Sequence, residues 1–353
     1  MLSVRSRVSM LAAIAAVLSC LAGNAAAQVP ANLVAASGLP QGFLFAPHTP
    51  SGMVIIGNNV WVGDEVQGLH HYVPVDAANP DPINTGQFMF DLDTQLSMGG
   101  GTACIPWCGV GQIAQDGSSR AYVTSYDHTK GQPGFFGGGG VWMVSFQSQF
   151  GEFSPFAGLA PVAPNGGLAG DLPTSTALGP DGKLYVGFLK NGNIKRILNP
   201  GASGVAPQTQ TVESVGGAPN GRAILSLAFL GPDLYIGTDQ GLSVVHNATT
   251  CINNAGGCGN AVQRIAGAIV AVATDAAGKV YFSANGGGTV FRYTPADGNV
   301  IPVATGFLFV GGHTNTLTLD GFGNLWIGDD TTDGIVNFTG RLWRVPAAAL
   351  QTF

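Results

Sequence analysis

LTLDGFGNLWIGD, residues Leu317–Asp329, holds the plan of a complete β-hairpin. Leu317 and Leu319 alternate with Thr318, the period of a half-buried strand. Asp320, Gly321 and Gly323 supply turn chemistry, and a second strand is centred on Trp326 before ending in Gly328 and Asp329. The same plan recurs upstream as MVIIGNNVWVGD (Met53–Asp64), GQIAQDGSSRAYVTS (Gly111–Ser125) and TALGPDGKLYVG (Thr176–Gly187). It returns as LAFLGPDLYIGT (Leu227–Thr238) and VATDAAGKVYFSA (Val272–Ala284). The central aromatics Trp61, Tyr122, Tyr185, Tyr235, Tyr281 and Trp326 fall roughly 45 to 60 residues apart, which fits units of four short strands. Gly182, Gly278 and Gly323 occupy turn positions that require positive φ, a conformation glycine adopts without steric cost.

Each hairpin is followed by a third strand, such as Asn193–Ile197 or Thr289–Tyr293, and then a fourth, such as Val300–Ala304. Six such meanders cannot bury their faces singly, but they can when stacked in a ring. The sequence therefore predicts an all-β protein, a six-bladed β-propeller spanning residues 28–353. Its two ends are complementary. The segment from Val34 to Thr49 echoes the one from Val303 to Thr314, including Gly-Phe-Leu-Phe and a His-Thr pair. The last unit ends at Gly340–Val345, one strand short, and an N-terminal outer strand near Leu33–Ala36 would complete it and cover an exposed edge.

Residues 1–27 stand apart from this plan. Arg5 and Arg7, the apolar run Met10–Leu21 and the small residues before Gln28 describe a secretory signal peptide cleaved after Ala27. A lipoprotein anchored at Cys20 is the rival reading, and Val17-Leu18-Ser19 matches a lipobox poorly. The apolar run is too short to span a bilayer. The expected location is the periplasm or the extracellular medium, as a secreted monomer. Losing Arg5 and Arg7 takes the formal charge from −6 to −8. An acidic chain with no basic cluster offers no footprint for nucleic acid. Four cysteines remain after cleavage: Cys104, Cys108, Cys251 and Cys258. Their close spacings in an exported chain predict two local disulfide bonds, with a four-thiolate metal site as the alternative.

The units LGPDGKLYVG, TDAAGKVYFS and LDGFGNLWIGD resemble the NHL-repeat and SMP-30/gluconolactonase-like group of six-bladed propellers. The resemblance covers the mature chain and rests on turns and strand aromatics. It implies the fold, and a choice among metal-dependent lactonases, a lyase acting on a cyclic antibiotic, and non-catalytic binding propellers. In the lactonases a Glu at the start of an inner strand joins an Asn and an Asp around a divalent cation. None of the three glutamates here, Glu65, Glu152 and Glu213, stands at such a start. Asn165 and Asn220 match the Pro-Asn-Gly tripeptide of that group, and the paired histidines of the lyase are missing.

In such a meander, the loops leading into the inner strands share a face with the loops after the second strands, around the channel mouth. Onto this face the sequence maps His48, Asp171, Asn220, Arg222 and His313, followed by Asp64, Glu65, Asp127, His128, Asp239, Asn285, Asp329 and Asp330. Trp107, in the Cys104–Cys108 loop, and Phe135 and Phe136 join them. Ring closure would set His48 beside His313, as candidate catalytic base or metal ligands with Asp64, Glu65 and Asp329, holding Ca²⁺ or Mg²⁺. Asn220, Arg222, Asp127, His128 and Asp239 are candidate ligand-binding residues. The competing reading makes the strand-end aspartates turn caps and the repeated His-Thr an inherited structural unit. His70 and His71 are expected to be structural, and Asp116, Asp181, Asp275 and Asp320 to form turns on the opposite face. Two functions follow: a binding propeller for a small molecule, glycan or protein, and a divalent-metal-dependent hydrolase of the lactonase type. A quinone-dependent dehydrogenase ranks last, since only Arg222 could supply a cationic pocket.

Overall fold

The computed structural model describes residues 34–35, 50–56, 59–64, 68–74, 82–91, 108–117, 120–127, 140–145, 152–156, 173–189, 192–200, 212–217, 222–250, 261–284, 288–307, 316–329 and 341–351. Among them stand six four-stranded antiparallel sheets. A short N-terminal strand, β1 (Val34–Ala35), precedes the first. The first sheet holds β2 (Pro50–Ile56), β3 (Asn59–Asp64), β4 (Gly68–Pro74) and β5 (Pro82–Asp91). The second holds β6 (Cys108–Asp116), β7 (Arg120–Asp127), β8 (Gly140–Ser145) and β9 (Glu152–Phe156). The third holds β10 (Pro173–Leu178), β11 (Leu184–Phe188), β12 (Asn193–Ile197) and β13 (Val212–Gly217). The fourth holds β14 (Ile224–Leu230), β15 (Asp233–Thr238), β16 (Gly241–Val245) and β17 (Val262–Ala266). The fifth holds β18 (Ile269–Thr274), β19 (Val280–Ala284), β20 (Thr289–Thr294) and β21 (Asn299–Thr305). The sixth holds β22 (Thr316–Leu319), β23 (Leu325–Asp329) and β24 (Arg341–Val345), and β1 is its fourth member. Val34 pairs with Arg344 and Ala35 with Trp343, where the sequence predicted a missing strand. A short helix, α1 (Ala347–Gln351), follows, and no described helix is long and apolar enough to cross a membrane.

The core lies between sheets. Met53, Val60 and Val62 of the first sheet share a buried cluster with Trp326 and Leu342 of the sixth. Tyr122 and Val141 of the second cluster with Leu184 and Val186 of the third. Tyr185 and Ile194 pack with Ile224 and Leu234, and Tyr235 and Leu242 with Ile269 and Phe282. Tyr281 and Val303 join Leu317 and Leu325. All six strand aromatics are buried, so the repeat read from the sequence is a repeat of core positions.

The small residue two places after each aromatic has a spatial cause. A methyl group at Gly187 would stand 2.5 Å from Ile224 Cγ2, at the start of the next sheet. At Gly328 it would stand 2.6 Å from Pro50 Cβ of the first sheet, and at Gly237 2.9 Å from the carbonyl oxygen of Ile269. The incoming inner strand of one sheet therefore crosses directly over the second strand of the sheet before it. Five of the inner strands carry a register irregularity at this crossing, for example between Pro173 and Ser175.

The turn aspartates do more than cap. Tyr122 donates its hydroxyl to Asp116 at 2.6 Å, Tyr185 to Asp181 at 3.1 Å and Tyr281 to Asp275 at 3.0 Å. In the sixth sheet Trp326 Nε1 donates to Asp320 at 2.9 Å. The second oxygen of the same carboxylate accepts turn N–H groups: Lys183 on Asp181, Lys279 on Asp275, and both Phe322 and Asn324 on Asp320. One carboxylate thus ties the hairpin turn to the buried aromatic of its own hairpin. Gly182, Gly278 and Gly323 take positive φ of 71°, 84° and 80° in these turns.

Gly187→Ala should destabilise the protein by about 1–3 kcal/mol, the usual cost of overpacking a filled site. Gly321→Ala, which meets open space, should leave the denaturation midpoint unchanged. A second expectation concerns alkali. Burial, followed by smaller electrostatic contributions, pushes the Tyr185 and Tyr235 hydroxyls up to about 12. Burial first, and then Asp116 and Asp275, push Tyr122 and Tyr281 higher still. The folded state holds these protons more tightly than the unfolded chain, whose tyrosines titrate near about 10. Their contribution is complete below about pH 10 and is lost as pH rises through about 12. Tyrosinate absorbance and loss of β-sheet circular dichroism should therefore rise together in that window.

Candidate functional site

The six inner strands are edge strands of their sheets, and they touch in the order β2, β6, β10, β14, β18, β22 and back to β2. Backbone groups on such edges need partners when buried. Side-chain hydroxyls supply them from one sheet to the next. Thr176 Oγ1 donates to the Gln112 carbonyl at 2.9 Å, and Thr174 Oγ1 to Ile224 O at 2.7 Å. Thr274 Oγ1 donates to Phe229 O at 2.6 Å, and Ser226 Oγ accepts from Val272 N at 3.0 Å. The side chain of Gln112 reaches further, from β6 past β10 to β14. Its Nε2 donates to Leu227 O at 2.7 Å, and its Oε1 accepts from Leu227 N at 2.8 Å. One carboxamide thus serves Leu227 as an adjacent strand would.

A cavity of about 230 Å³ lies among residues of all six inner strands, from Gln112 and Met53 to Leu178, Thr274 and Leu319. The last three close their strands, so the cavity occupies the end of the channel nearest the hairpin turns. Every residue lining it is uncharged. Sequence reasoning placed the functional face at the opposite end and did not single out Gln112 or these threonines. Their roles depend on partners in other sheets, and Gln112 has no counterpart in the other copies of the repeat.

At the mouth end, Arg222 leads into β14 and its guanidinium lies 3.9 Å from the carboxylate of Asp239, which follows β15. Both side chains are about two-fifths exposed, and Asp239 Oδ1 has no hydrogen-bond partner among the described residues. The structure thus brings two of the predicted binding residues together. Asp329 is fully buried, and its Oδ1 accepts the indole N–H of Trp343 at 3.0 Å, a role close to the structural reading of that aspartate. Asp64 ends β3 opposite Pro50, and Asp127 ends β7 opposite Cys108; their backbones alone are described. Pro50 of the first sheet and Thr316 of the sixth both approach Gly328. His48, Glu65, Cys104, Trp107, His128, Phe135, Phe136, Asn165, Asp171, Asn220, Cys251, Cys258, Asn285, His313 and Asp330 lie outside the described residues. Among the described residues no three His, Cys, Asp or Glu side chains gather as a metal site.

With this geometry in hand, comparison with known structures is informative about the fold. The chain is similar to a calcium-binding protein, regucalcin, of Agrobacterium tumefaciens C58, with 17% identity, a TM-score of 0.52, and 85% of this chain and 90% of that one covered. It is similar to a luciferin-regenerating enzyme, with 12% identity, a TM-score of 0.52, and 86% and 92% covered. It is also similar to a protein of unknown function from Bacteroides thetaiotaomicron, with 12% identity, a TM-score of 0.51, and 84% and 69% covered. No family model matches the chain, and no curated protein matches it in sequence. The chain has a β-propeller fold, as these neighbours do. At these identities the likeness is one of architecture, which hosts many unrelated functions.

Replacing Gln112 should separate its amide from its bulk. Gln112→Met keeps the volume and should cost about 1–3 kcal/mol through the unpaired Leu227 groups. Gln112→Glu should cost more, because a carboxylate oxygen would then face the Leu227 carbonyl. Urea denaturation of the three proteins checks the order.

Proposed function

We propose that this chain is an exported, monomeric six-bladed β-propeller that binds a small molecule, glycan or protein at the mouth of its channel. Six blades are supported by the six four-stranded sheets and by the order in which their inner strands touch. Closure of the ring is supported by two separate joins between its ends, the pairing of β1 with β24 and the approach of Pro50 to Gly328. Export follows from the leader at residues 1–27, and the cysteine pairs 104–108 and 251–258 pin loops as disulfides in the oxidising compartment beyond it.

The observation that carries the binding reading is the contrast between two charged groups near the mouth. Asp329 is buried and engaged with Trp343, whereas Arg222 and Asp239 form an open pair. Exposed ion pairs contribute about 0–1 kcal/mol, so an incoming polar ligand separates this one at little cost. By the meander rule, Asn220, Asp127 and His128 would complete the binding surface.

The second reading is a divalent-metal-dependent hydrolase of the lactonase type. The approach of Pro50 and Thr316 to Gly328 supports it, since His48 and His313 stand two and three residues before them in the sequence and Asp64 ends the strand paired with Pro50. His48, His313, Asp64 and Glu65 would hold Ca²⁺ or Mg²⁺, which would polarise a carbonyl and activate water. That one structural neighbour is a calcium-binding protein is in keeping with a divalent cation.

Purified mature protein separates the two. Incubated with Ca²⁺ or Mg²⁺ and a panel of lactones, it should show no turnover and no stoichiometric metal. Hydrolysis that is lost on chelation, with less bound metal in His313→Ala, would replace the binding reading with the enzymatic one.

A further inference from the structure

The cavity at the turn end of the channel is separate from the mouth and has its own chemistry. Its polar lining comes from Gln112, Gln115, Thr176, Thr274, Thr316 and Thr318. A hydroxyl has one hydrogen to give and two lone pairs. Thr176 has committed its hydrogen to the Gln112 carbonyl, and Thr274 to the Phe229 carbonyl, leaving acceptor capacity on both oxygens. Gln115 donates through Nε2 to Gly117 O, which leaves its Oε1 to accept. The lining is therefore one of neutral hydroxyls and carboxamides with acceptor capacity to spare, and it favours a ligand that brings several O–H groups. The absence of charge in the lining selects against an ion, because burying an unpaired charge is far costlier than burying a paired hydroxyl. At about 230 Å³ the space is smaller than a typical drug-sized pocket and equals the liquid volume of about eight waters.

We infer that the turn end of the channel is a second binding site, for a small uncharged polyhydroxy molecule the size of a monosaccharide or polyol. Binding there requires neither the Arg222–Asp239 pair nor a metal, so the inference stands apart from both readings of the mouth.

Calorimetric titration of the mature protein with glucose, galactose, myo-inositol and glycerol tests this, with gluconate and glucosamine as charged counterparts. At least one neutral compound should bind saturably, and the charged ones more weakly. Thr318→Val, which removes a lining hydroxyl at nearly constant volume, should weaken that binding about tenfold, equivalent to about 1.4 kcal/mol. Thr318→Ser should restore it, which separates a lost contact from a damaged fold, and Arg222→Ala should leave it unchanged. The inference is overturned if none of the neutral compounds binds or if glucosamine or gluconate binds best. It is also overturned if binding survives Thr318→Val but is lost in Arg222→Ala.

Discussion

The crossing of incoming inner strands over a small residue of the preceding sheet, seen at three seams, is the constraint on which the architecture depends. Ile224 sits on Gly187, Ile269 on Gly237 and Pro50 on Gly328, where a side chain would leave no room. In the second sheet the equivalent position is Thr124, and the space comes instead from Gly111, whose added carbon would meet Thr174 of the next sheet. The aromatic two places earlier fills the gap between sheets, while the small residue lets the chain cross at the inner rim. Bulk and clearance on one strand therefore set how closely neighbouring sheets approach. The contact of Gly328 with Pro50 extends the same rule from the last sheet to the first.

Close approach at the rim determines what the channel can contain. Inner strands turned edge-on toward one another bring backbone N–H and C=O groups into a narrow space, where each unpaired group is costly. Short hydroxyl side chains meet that need across one seam, as Thr174, Thr176, Ser226 and Thr274 do. Gln112 meets it across two. Carboxylates and ammonium groups are poor choices at these positions, since each offers only acceptors or only donors and carries a charge into a confined space. The neutrality of the cavity wall follows from the way the sheets are joined, and charge is left to the turns and loops beyond the strands.

Much of the architecture was legible in the sequence because it depends on local periodicity. Trp61, Tyr122, Tyr185, Tyr235, Tyr281 and Trp326 mark core positions whatever their partners are. Gly182, Gly278 and Gly323 mark turns because their backbone conformation is a local property. The strand at Val34–Ala35 was legible from the missing outer strand beside Gly340–Val345. The candidate site was far less so. Arg222 and Asp239 were placed on one face by the meander rule, and they do lie together. By contrast, the burial of Asp329 depends on Trp343 in the neighbouring strand, a partner that the hairpin pattern does not specify. Gln112 falls in a repeat copy like the others, GQIAQD, yet its partner is 115 residues away in sequence. The aromatic clasps are an intermediate case. Asp116, Asp181, Asp275 and Asp320 were legible as turn residues, but their bonds to Tyr and Trp appear only once the hairpin is folded.

The two ends of the channel obey different physical rules. The turn end is built from inner-strand termini, each fixed by the ladder of its own hairpin and by the clasped turns, so its shape is set by the same interactions that hold each hairpin. The mouth is built from connections between strands, which tolerate insertion and substitution because few ladder bonds depend on them. Length and charge can accumulate there without disturbing the sheets, and the long connections 92–107 and 128–139 are of this kind. A site at the mouth is free to follow its ligand. A site at the turn end can change only through residues, such as Thr318 and Gln115, that line the space without carrying a seam.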